Sequence, residues 1–207
     1  MSVDAVSKQP QNHPFKRAAV LWALVLGLMW LLVFINWVVP MDLRGLGVES
    51  RSLTGLLPGV LLTPLLHAGA GHLASNMIPL ALMGTVAALR DWRGFWIALG
   101  IIIIVSGLGV WLIGPSNTVT VGASGVVFGF FGYLVGRGIF VRQLGDILLA
   151  AVVVIIYGSL VWGIFPQDSH VSWQAHLCGL IGGVLASFVL AKRERAIVAT
   201  QRESTSL

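Results

Sequence analysis

Six long apolar segments, separated by short polar stretches, run through the sequence. They cover about residues 18–39, 72–89, 94–113, 119–136, 147–165 and 172–191. A helix needs about 20 mostly apolar residues to cross the hydrocarbon core of a bilayer, and most of the segments approach that length. Only 10% of the residues are charged, whereas an average soluble domain has roughly 25%. The sequence therefore predicts an all-α membrane protein, a bundle of six transmembrane helices.

The basic residues predict how this bundle is oriented, because short cytoplasmic loops of membrane proteins are enriched in Lys and Arg. If the N-terminus is cytoplasmic, only Arg44 and Arg51 of the thirteen basic residues lie outside. The other eleven lie inside: Lys8, Lys16, Arg17, Arg90, Arg93, Arg137, Arg142, Lys192, Arg193, Arg195 and Arg202. We expect a protein of the cell or inner membrane, with a six-helix domain at 18–191 between cytoplasmic tails at 1–17 and 192–207. Orientation also explains the net charge of +5, so no nucleic-acid partner is predicted.

The first external loop and the fourth segment depart from a simple bundle. The loop, from about residue 40 to 71, alternates leucines with glycines and prolines, a composition that favours partial embedding in the outer membrane interface. Residues 114–118 form the loop signal Gly-Pro-Ser-Asn-Thr, and the apolar run that follows has no charge before Arg137. This pattern predicts a short fourth helix that starts inside the membrane.

Four polar residues occupy apolar segments, where the cost of burial makes them candidates for a functional site: His72, Asn76, Ser124 and His176. Asn76, Ser124 and His176 lie about 20–24 Å from the basic residue at the cytoplasmic end of their segments, counting about 1.5 Å per residue. Nonhelical backbone before Ser124 is tolerated at that depth only where it is buried in protein or lines a wet cavity. We therefore predict a water-accessible cavity that opens outward.

The chemistry of these side chains favours hydrolysis of an acyl bond. The Ser124 hydroxyl is a candidate nucleophile, and the His176 imidazole is a candidate base for its proton. The oxyanion that forms needs donors, for which the Ser124 backbone N–H and the side chains of His72 and Asn76 are candidates. Asp168 is interpreted as part of a solvated turn, so the prediction is a two-residue dyad without a metal or cofactor.

At these residues the chain resembles the rhomboid family of intramembrane serine proteases. The GxSG motif of that family corresponds to residues 122–125, and its His-x3-Asn pair corresponds to His72 and Asn76. The AHxxGxxxG pattern of its last helix corresponds to residues 175–183. The resemblance implies Ser124 as nucleophile and His176 as base, with supporting residues at Gly122, Gly125, Phe128, Gly179 and His67.

The resemblance also implies the reaction and the partners. It implies an endopeptidase that hydrolyses peptide bonds in or near transmembrane segments, so its partners are transmembrane substrates and the lipid bilayer. Two positions differ from many members of the family. Phe128 replaces a Tyr whose ring stacks on the catalytic His, so stacking should persist without the hydroxyl. The Trp-Arg pair of the first external loop is absent, since neither Arg44 nor Arg51 has an adjacent Trp.

Two other classes of protein share parts of this pattern. A catalytically silent binding or escort factor of the same fold would be expected to lack the Ser or the His, and both are present here. A channel or transporter would place charged or ion-binding groups along a path through the membrane, whereas the cytoplasmic halves of these segments are interpreted as apolar. The sequence predicts neither an oligomeric state nor a particular substrate.

Overall fold

The computed structural model describes residues 13–53, 55–166 and 171–205, with side chains described as far as residue 194. These parts of the chain contain seven α-helices: α1 (Pro14–Val38), α2 (Leu56–Leu62), α3 (Ala70–Arg90), α4 (Trp92–Ile113), α5 (Ser124–Phe140), α6 (Leu144–Tyr157) and α7 (Trp173–Thr205). Short 3-10 helices lie at Leu43–Leu46, Thr63–Leu65 and Gly158–Ile164. Two strands, β1 (Val48–Glu49) and β2 (Val119–Thr120), pair antiparallel.

Five of the helical stretches are long and apolar enough to cross a membrane: α1, α3, α4, the stretch Leu144–Ile164 and the first part of α7, Trp173–Glu194. Each matches one predicted segment, and the chain is a multi-pass membrane protein. The helix of the fourth segment, α5, has only 17 residues. It is therefore shorter than an ordinary span, as expected for a helix that starts below the surface. That α5 is the fourth of six spans remains a prediction.

Three helix boundaries differ from those that hydropathy predicts. The fourth segment, predicted from residue 119, becomes helical only at Ser124, because Val119 and Thr120 pair with Glu49 and Val48 in the small sheet. The fifth segment is α-helical only to Tyr157 and continues as a 3-10 helix. The last helix extends past residue 191 to Thr205, since its polar continuation is rich in good helix formers such as Lys, Arg and Glu.

The segment between α1 and α3, predicted as the first external loop, is ordered and attached to α4. Its backbone is held by the indole of Trp111, which donates a hydrogen bond to the carbonyl of Ser52 at 3.0 Å. The neighbouring Arg51 donates to the hydroxyl of Ser116 at 2.5 Å. Leu53 and Leu57 are both 77% exposed, as expected if this loop faces the membrane interface. Trp111 thus anchors a loop that lacks an adjacent Trp-Arg pair.

The bundle core is centred on α5, most of whose residues are buried. Glycines allow α5 and α7 to approach closely, as small residues do between membrane helices. A Cβ atom added at Gly179 would collide with the carbonyl oxygen of Gly125, and one added at Gly183 would collide with that of Gly129. This contact packs the helices that carry Ser124 and His176 tightly against each other.

A buried ionic network joins four helices at the end of the bundle that carries most of the basic residues. Asp146 of α6 is fully buried and accepts from Arg137 at 3.0 Å and from Arg90 at 2.8 Å. Arg137 also pairs with Glu194 at 3.0 Å. The fourth segment was predicted to end at about residue 136, before Arg137, but these carboxylates allow the guanidinium to be buried within α5. That half of the bundle is therefore not uniformly apolar, but these charges are paired with one another.

Candidate active site

The four polar residues predicted to form a site line one cavity of about 860 Å³. His72 is the third residue of α3, Ser124 is the first residue of α5, and His176 is the fourth residue of α7. Asn76 lies one helical turn beyond His72 and is buried. The N-terminal ends of these three helices therefore meet at one cavity, in agreement with the depth estimates from the sequence.

The turn before Ser124 is held in a conformation that requires glycine. Gly122 has φ of +124°, which is unfavourable for a residue with a side chain. Its N–H donates to the carbonyl of Thr63 at 2.9 Å, and a Cβ atom here would lie 2.7 Å from the His72 ring. Ala123 is fully buried, whereas Ser124 is partly exposed to the cavity. The hydroxyl therefore lies at a helix N-terminus, where free backbone N–H groups favour negative charge.

The His176 ring is held on two sides. Its Nδ1 atom lies 2.9 Å from the carbonyl oxygen of Gly163, in the 3-10 helix before α7. The Phe128 ring stacks on the imidazole, with the ring centres 4.0 Å apart and the planes 8° from parallel. A carbonyl can only accept, so Nδ1 carries the proton and the lone pair of the neutral ring is on Nε2. This is the tautomer that a general base needs.

Ser124 and His176 border the same cavity without a hydrogen bond between them. Within the described residues, Nε2 of His176 is buried and has no hydrogen-bond partner. A buried nitrogen without a hydrogen-bond partner costs free energy. This nitrogen is therefore available to accept a proton that arrives from the cavity. Catalytic hydrogen bonds in unliganded enzymes are often long and tighten only when substrate binds. The geometry therefore places His176, with its unpaired Nε2, and the Ser124 hydroxyl on the border of one cavity.

His72 and Asn76 are oriented by bonds to nearby backbone. The Asn76 amide donates to the carbonyl of His72 at 2.8 Å, which uses one of its two N–H groups. The Nδ1 atom of His72 accepts from the backbone N–H of Ala68 at 3.4 Å. Because the neutral ring then carries its proton on Nε2, His72 is a donor on the side that faces Gly122. Both side chains therefore keep one donor group for the cavity.

His67 bonds to the segment beside Ser124. Its Nε2 atom accepts the backbone N–H of Ala123 at 3.3 Å, and its ring lies edge-on to His72 with centres 5.1 Å apart. The resemblance implies His67 only as a supporting residue, and this contact places it against the turn before α5. Burial lowers the pKa of His67 to about 4, and the nearby His72 adds to this effect. The ring is therefore neutral near pH 7 and able to accept the N–H.

This lowered pKa predicts a stability that depends on pH. The unfolded chain takes up a proton at His67 near pH 6.5, whereas the folded chain does so only near pH 4. The contribution of His67 is therefore complete above about pH 6.5 and is lost as the pH falls towards 4. A His67→Gln variant keeps an acceptor but does not titrate, so its melting temperature in detergent should fall less steeply across this range. Equal pH profiles for the variant and the wild type would contradict the prediction. The control variant is His13→Gln, which removes an exposed histidine instead.

Three supporting residues were missed because their contributions come from the backbone or from unremarkable hydroxyls. Gly163 offers only its carbonyl to His176, so no side chain marks it. Thr63 accepts from the N–H of Val48 at 2.8 Å and donates to the carbonyl of Thr120 at 3.1 Å, joining the loop to the turn before α5. Ser106 donates to the carbonyl of Ala175, next to His176, at 3.0 Å. As a hydroxyl within an apolar helix, Ser106 was the one of the three with a visible signal.

The outer border of the cavity is polar and exposed. Asp42 and Arg44 form an ion pair at 2.7 Å, with their side chains about half exposed. The hydrogen bond from Arg44 holds the pKa of the Asp42 carboxyl below its usual value. An exposed border gives water a route to Ser124.

Asp168 lies outside the described residues, and no three His, Cys, Asp or Glu side chains in the described parts of the chain come together as metal ligands.

Comparisons with known proteins agree with the sequence motifs. The model of the Rhomboid domain family matches residues 53–193. An uncharacterized protein of Mycobacterium tuberculosis is 40% identical over 164 residues, which cover 75% of this chain and 68% of that protein. An uncharacterized protein of Mycobacterium leprae is 34% identical over 188 residues, covering 87% and 74%. RHOMBOID-like protein 1 of Arabidopsis thaliana is 31% identical over 147 residues, covering 67% and 36%.

Proposed function

The chain belongs to the rhomboid family of membrane proteins, and on that premise we propose that it is an intramembrane serine endopeptidase. Its reaction is hydrolysis of peptide bonds in or near the transmembrane segments of other membrane proteins. The observation that carries the proposal is the pairing of an accessible Ser124 with an oriented His176 in one cavity. A binding or escort factor has no need of an imidazole that is fixed in one tautomer, with its other nitrogen unpaired, in the cavity that also contains the Ser124 hydroxyl.

The proposed mechanism is proton transfer between the two residues of the dyad. As the substrate carbonyl enters the cavity, Nε2 of His176 accepts the Ser124 proton, and the oxygen of Ser124 attacks the carbonyl carbon. The bond from Nδ1 to the carbonyl of Gly163 keeps the ring in the correct tautomer and stabilises the imidazolium that forms. His176 then gives the proton to the leaving amine, and water releases the acyl group from Ser124 by the same steps in reverse order.

The oxyanion in this mechanism is stabilised by donors that are already in place. The Ser124 backbone N–H lies at the start of α5, where it has no partner within its own helix. The remaining N–H of Asn76 and the Nε2–H of His72 belong to the adjacent wall of the same cavity. Donors that are oriented before the reaction need no rearrangement when the charge develops.

Loss of either side-chain donor should slow the reaction without abolishing it. We expect Asn76→Ala and His72→Ala to reduce kcat by about 10²–10³-fold each, the range for one oxyanion donor. KM for a transmembrane substrate should change little, because the oxyanion exists only in the transition state. Steady-state kinetics on purified protein tests this, with Ser75→Ala as a control on the same helix. A rise in KM at constant kcat would assign the two side chains to substrate binding instead.

The proposal includes a particular placement in the membrane. We propose six spans, of which α5 is the fourth and begins within the membrane, and both tails, 1–17 and 192–207, on the cytoplasmic side. The site then lies near the outer face, below an external loop whose exposed leucines rest in the interface. Most basic residues fall on the opposite side, as they do in proteins of cell or inner membranes. A substrate helix hides its peptide bonds, so segments with helix-breaking residues are the expected targets.

Labelling with a fluorophosphonate probe tests the nucleophile directly. The Ser124 oxygen should attack phosphorus and displace fluoride, leaving a covalent adduct that mass spectrometry of peptides assigns to Ser124. Ser124→Ala should not react, whereas Ser75→Ala, which removes another hydroxyl of the same cavity, should react like the wild type. An adduct at Ser75 would overturn the assignment of the nucleophile. Failure of the folded wild type to react would favour the escort factor.

A further inference from the structure

A second cavity lies between the beginnings of α1 and α4, at the end of the bundle remote from Ser124. It measures about 730 Å³ and is lined by His13, Lys16, Arg17, Val20, Leu21, Leu24, Trp92 and Trp96. We call it the basic groove. It takes no part in the proposed hydrolysis, because α3 separates it from the catalytic cavity: the site lies at the start of α3 and α4 begins after its end. The groove therefore needs an explanation of its own.

The part of the groove at the start of α1 carries positive charges that no described ion pair neutralises. Lys16 and Arg17 are exposed, and neither forms an ion pair with a residue that the structure describes. The carboxylate nearest in sequence to the α4 wall is Asp91, and it is used to cap α4, accepting the N–H of Arg93 at 3.0 Å. Two adjacent cations on the wall of a cavity attract an anion, and no carboxylate is among the described residues that line the groove.

One wall of the groove is a rigid aromatic surface. Trp92 stacks on Phe95 with ring centres 6.0 Å apart, and Trp96 packs edge-on to Trp92 at 5.8 Å. Phe95 is itself stacked on the buried Phe130 at 5.6 Å, which fixes this wall to the bundle core. Trp96 nevertheless remains 45% exposed. Indole rings in such positions are typical of the level of lipid headgroups.

The part of the groove that lies further along α1 is apolar. Lys16, Val20 and Leu24 are spaced four residues apart, so they follow one face of the helix. The distance from Lys16 to Leu24 is eight residues, about 12 Å along the axis. Val20 and Leu24 are 50% and 68% exposed, so this part of the face is not covered by the described protein. The groove thus changes from cationic to aromatic to apolar over the length of a few helical turns.

We propose that the basic groove binds one anionic phospholipid from the leaflet at that end of the bundle. The phosphate lies against Lys16 and Arg17, the glycerol region lies beside Trp92 and Trp96, and an acyl chain follows Val20 and Leu24. A free phosphate ion would satisfy the cations but leave the apolar part uncovered. A zwitterionic lipid would cover the apolar part but bring its own cation next to Lys16 and Arg17. Only an anionic lipid matches both parts of the groove.

Native mass spectrometry of the purified full chain, titrated with phosphatidylglycerol, measures this binding without reference to catalysis. Wild type should bind phosphatidylglycerol more tightly than phosphatidylcholine with the same acyl chains. Lys16→Gln combined with Arg17→Gln should weaken binding about 30-fold, since each basic residue near an anionic lipid surface contributes about 1 kcal/mol. The matched control is Lys192→Gln combined with Arg193→Gln, an adjacent basic pair at the same end, which should bind phosphatidylglycerol like wild type.

Each alternative occupant predicts a different result. Equal affinity for the two lipids, or an equal loss in both double variants, would overturn the proposal in favour of nonspecific lipid contact. Competition by millimolar inorganic phosphate would overturn it in favour of an anion site without a lipid. Lys16 and Arg17 are exposed, so their replacement should leave the melting temperature unchanged, and retained binding in that folded variant would also overturn the proposal.

Discussion

Replacing Ser124 or His176 by alanine should abolish cleavage of a transmembrane substrate, lowering kcat by about 10⁴-fold or more. Without Ser124 there is no oxygen to form the acyl intermediate. Without His176 the hydroxyl keeps its proton, because no other described side chain of the cavity combines a buried free nitrogen with a bond that fixes its tautomer. Removal of either partner should therefore have almost the full effect of removing both.

The measurement is cleavage of a fluorescently labelled transmembrane peptide by purified protein in detergent or liposomes. The double variant, with both residues replaced, should be no slower than either single variant, because the two side chains act as one unit. Ser75→Ala provides the matched control, since Ser75 lines the same cavity and donates only to the carbonyl of His72 at 2.8 Å. Cleavage at the wild-type rate by folded Ser124→Ala would exclude it as the nucleophile.

A single methyl group at Gly179 should strongly destabilise the helix bundle. The added Cβ would collide with the carbonyl oxygen of Gly125, a backbone atom that cannot rotate away. The two helices, which carry Ser124 and His176, would have to separate along this contact, one turn after His176. We expect Gly179→Ala to lower the free energy of unfolding by about 3 kcal/mol, the upper part of the range for overpacking. Activity should fall with it, because the dyad loses its alignment.

Gly100→Ala is the control for this prediction. No atom lies within 4 Å of a Cβ built at Gly100, which is in the interior of α4. Alanine there should be neutral or should stabilise the helix by up to about 1 kcal/mol, since it removes the conformational entropy of glycine. Unfolding in mixed micelles measures both variants on one scale. If the two substitutions had the same effect, the close approach of α5 and α7 would not limit stability.

Much of the architecture could be predicted from hydropathy alone, because a bilayer imposes length and apolarity on every spanning helix. The same constraint predicted that the polar groups of three helices meet at one depth. Counting residues from Arg90, Arg137 and Lys192 was enough, since the rise per residue of a helix hardly varies. Arg137 proved to be buried, but it lies in the last turn of α5, and the cavity that the polar residues of all three helices line agrees with the count. The roles of the site residues came from motif resemblance and stay predictions.

The features that could not be predicted depend on contacts between residues far apart in the sequence. Nothing near residue 119 shows that Val119 and Thr120 would pair with Glu49 and Val48, and this pairing delays the start of α5. The burial of Arg137 needs the carboxylates of Asp146 and Glu194, which belong to two other helices. Where a helix starts or a charged side chain is buried thus depends on partners elsewhere in the chain, which a hydropathy profile does not identify.

The bond between His176 and the carbonyl of Gly163 has a consequence for how this site responds to mutation. In a triad, a single codon change can delete the acidic partner of the histidine. Here the partner is the main chain, which every amino acid carries, so no point substitution removes the acceptor itself. A larger residue at 163 would instead press on the rings of Phe128 and His176, since a Cβ atom there lies 2.8 Å and 3.1 Å from them. A genetic screen for lost activity would therefore detect position 163 only through substitutions by larger residues. It would not reveal the bond between the carbonyl of residue 163 and His176.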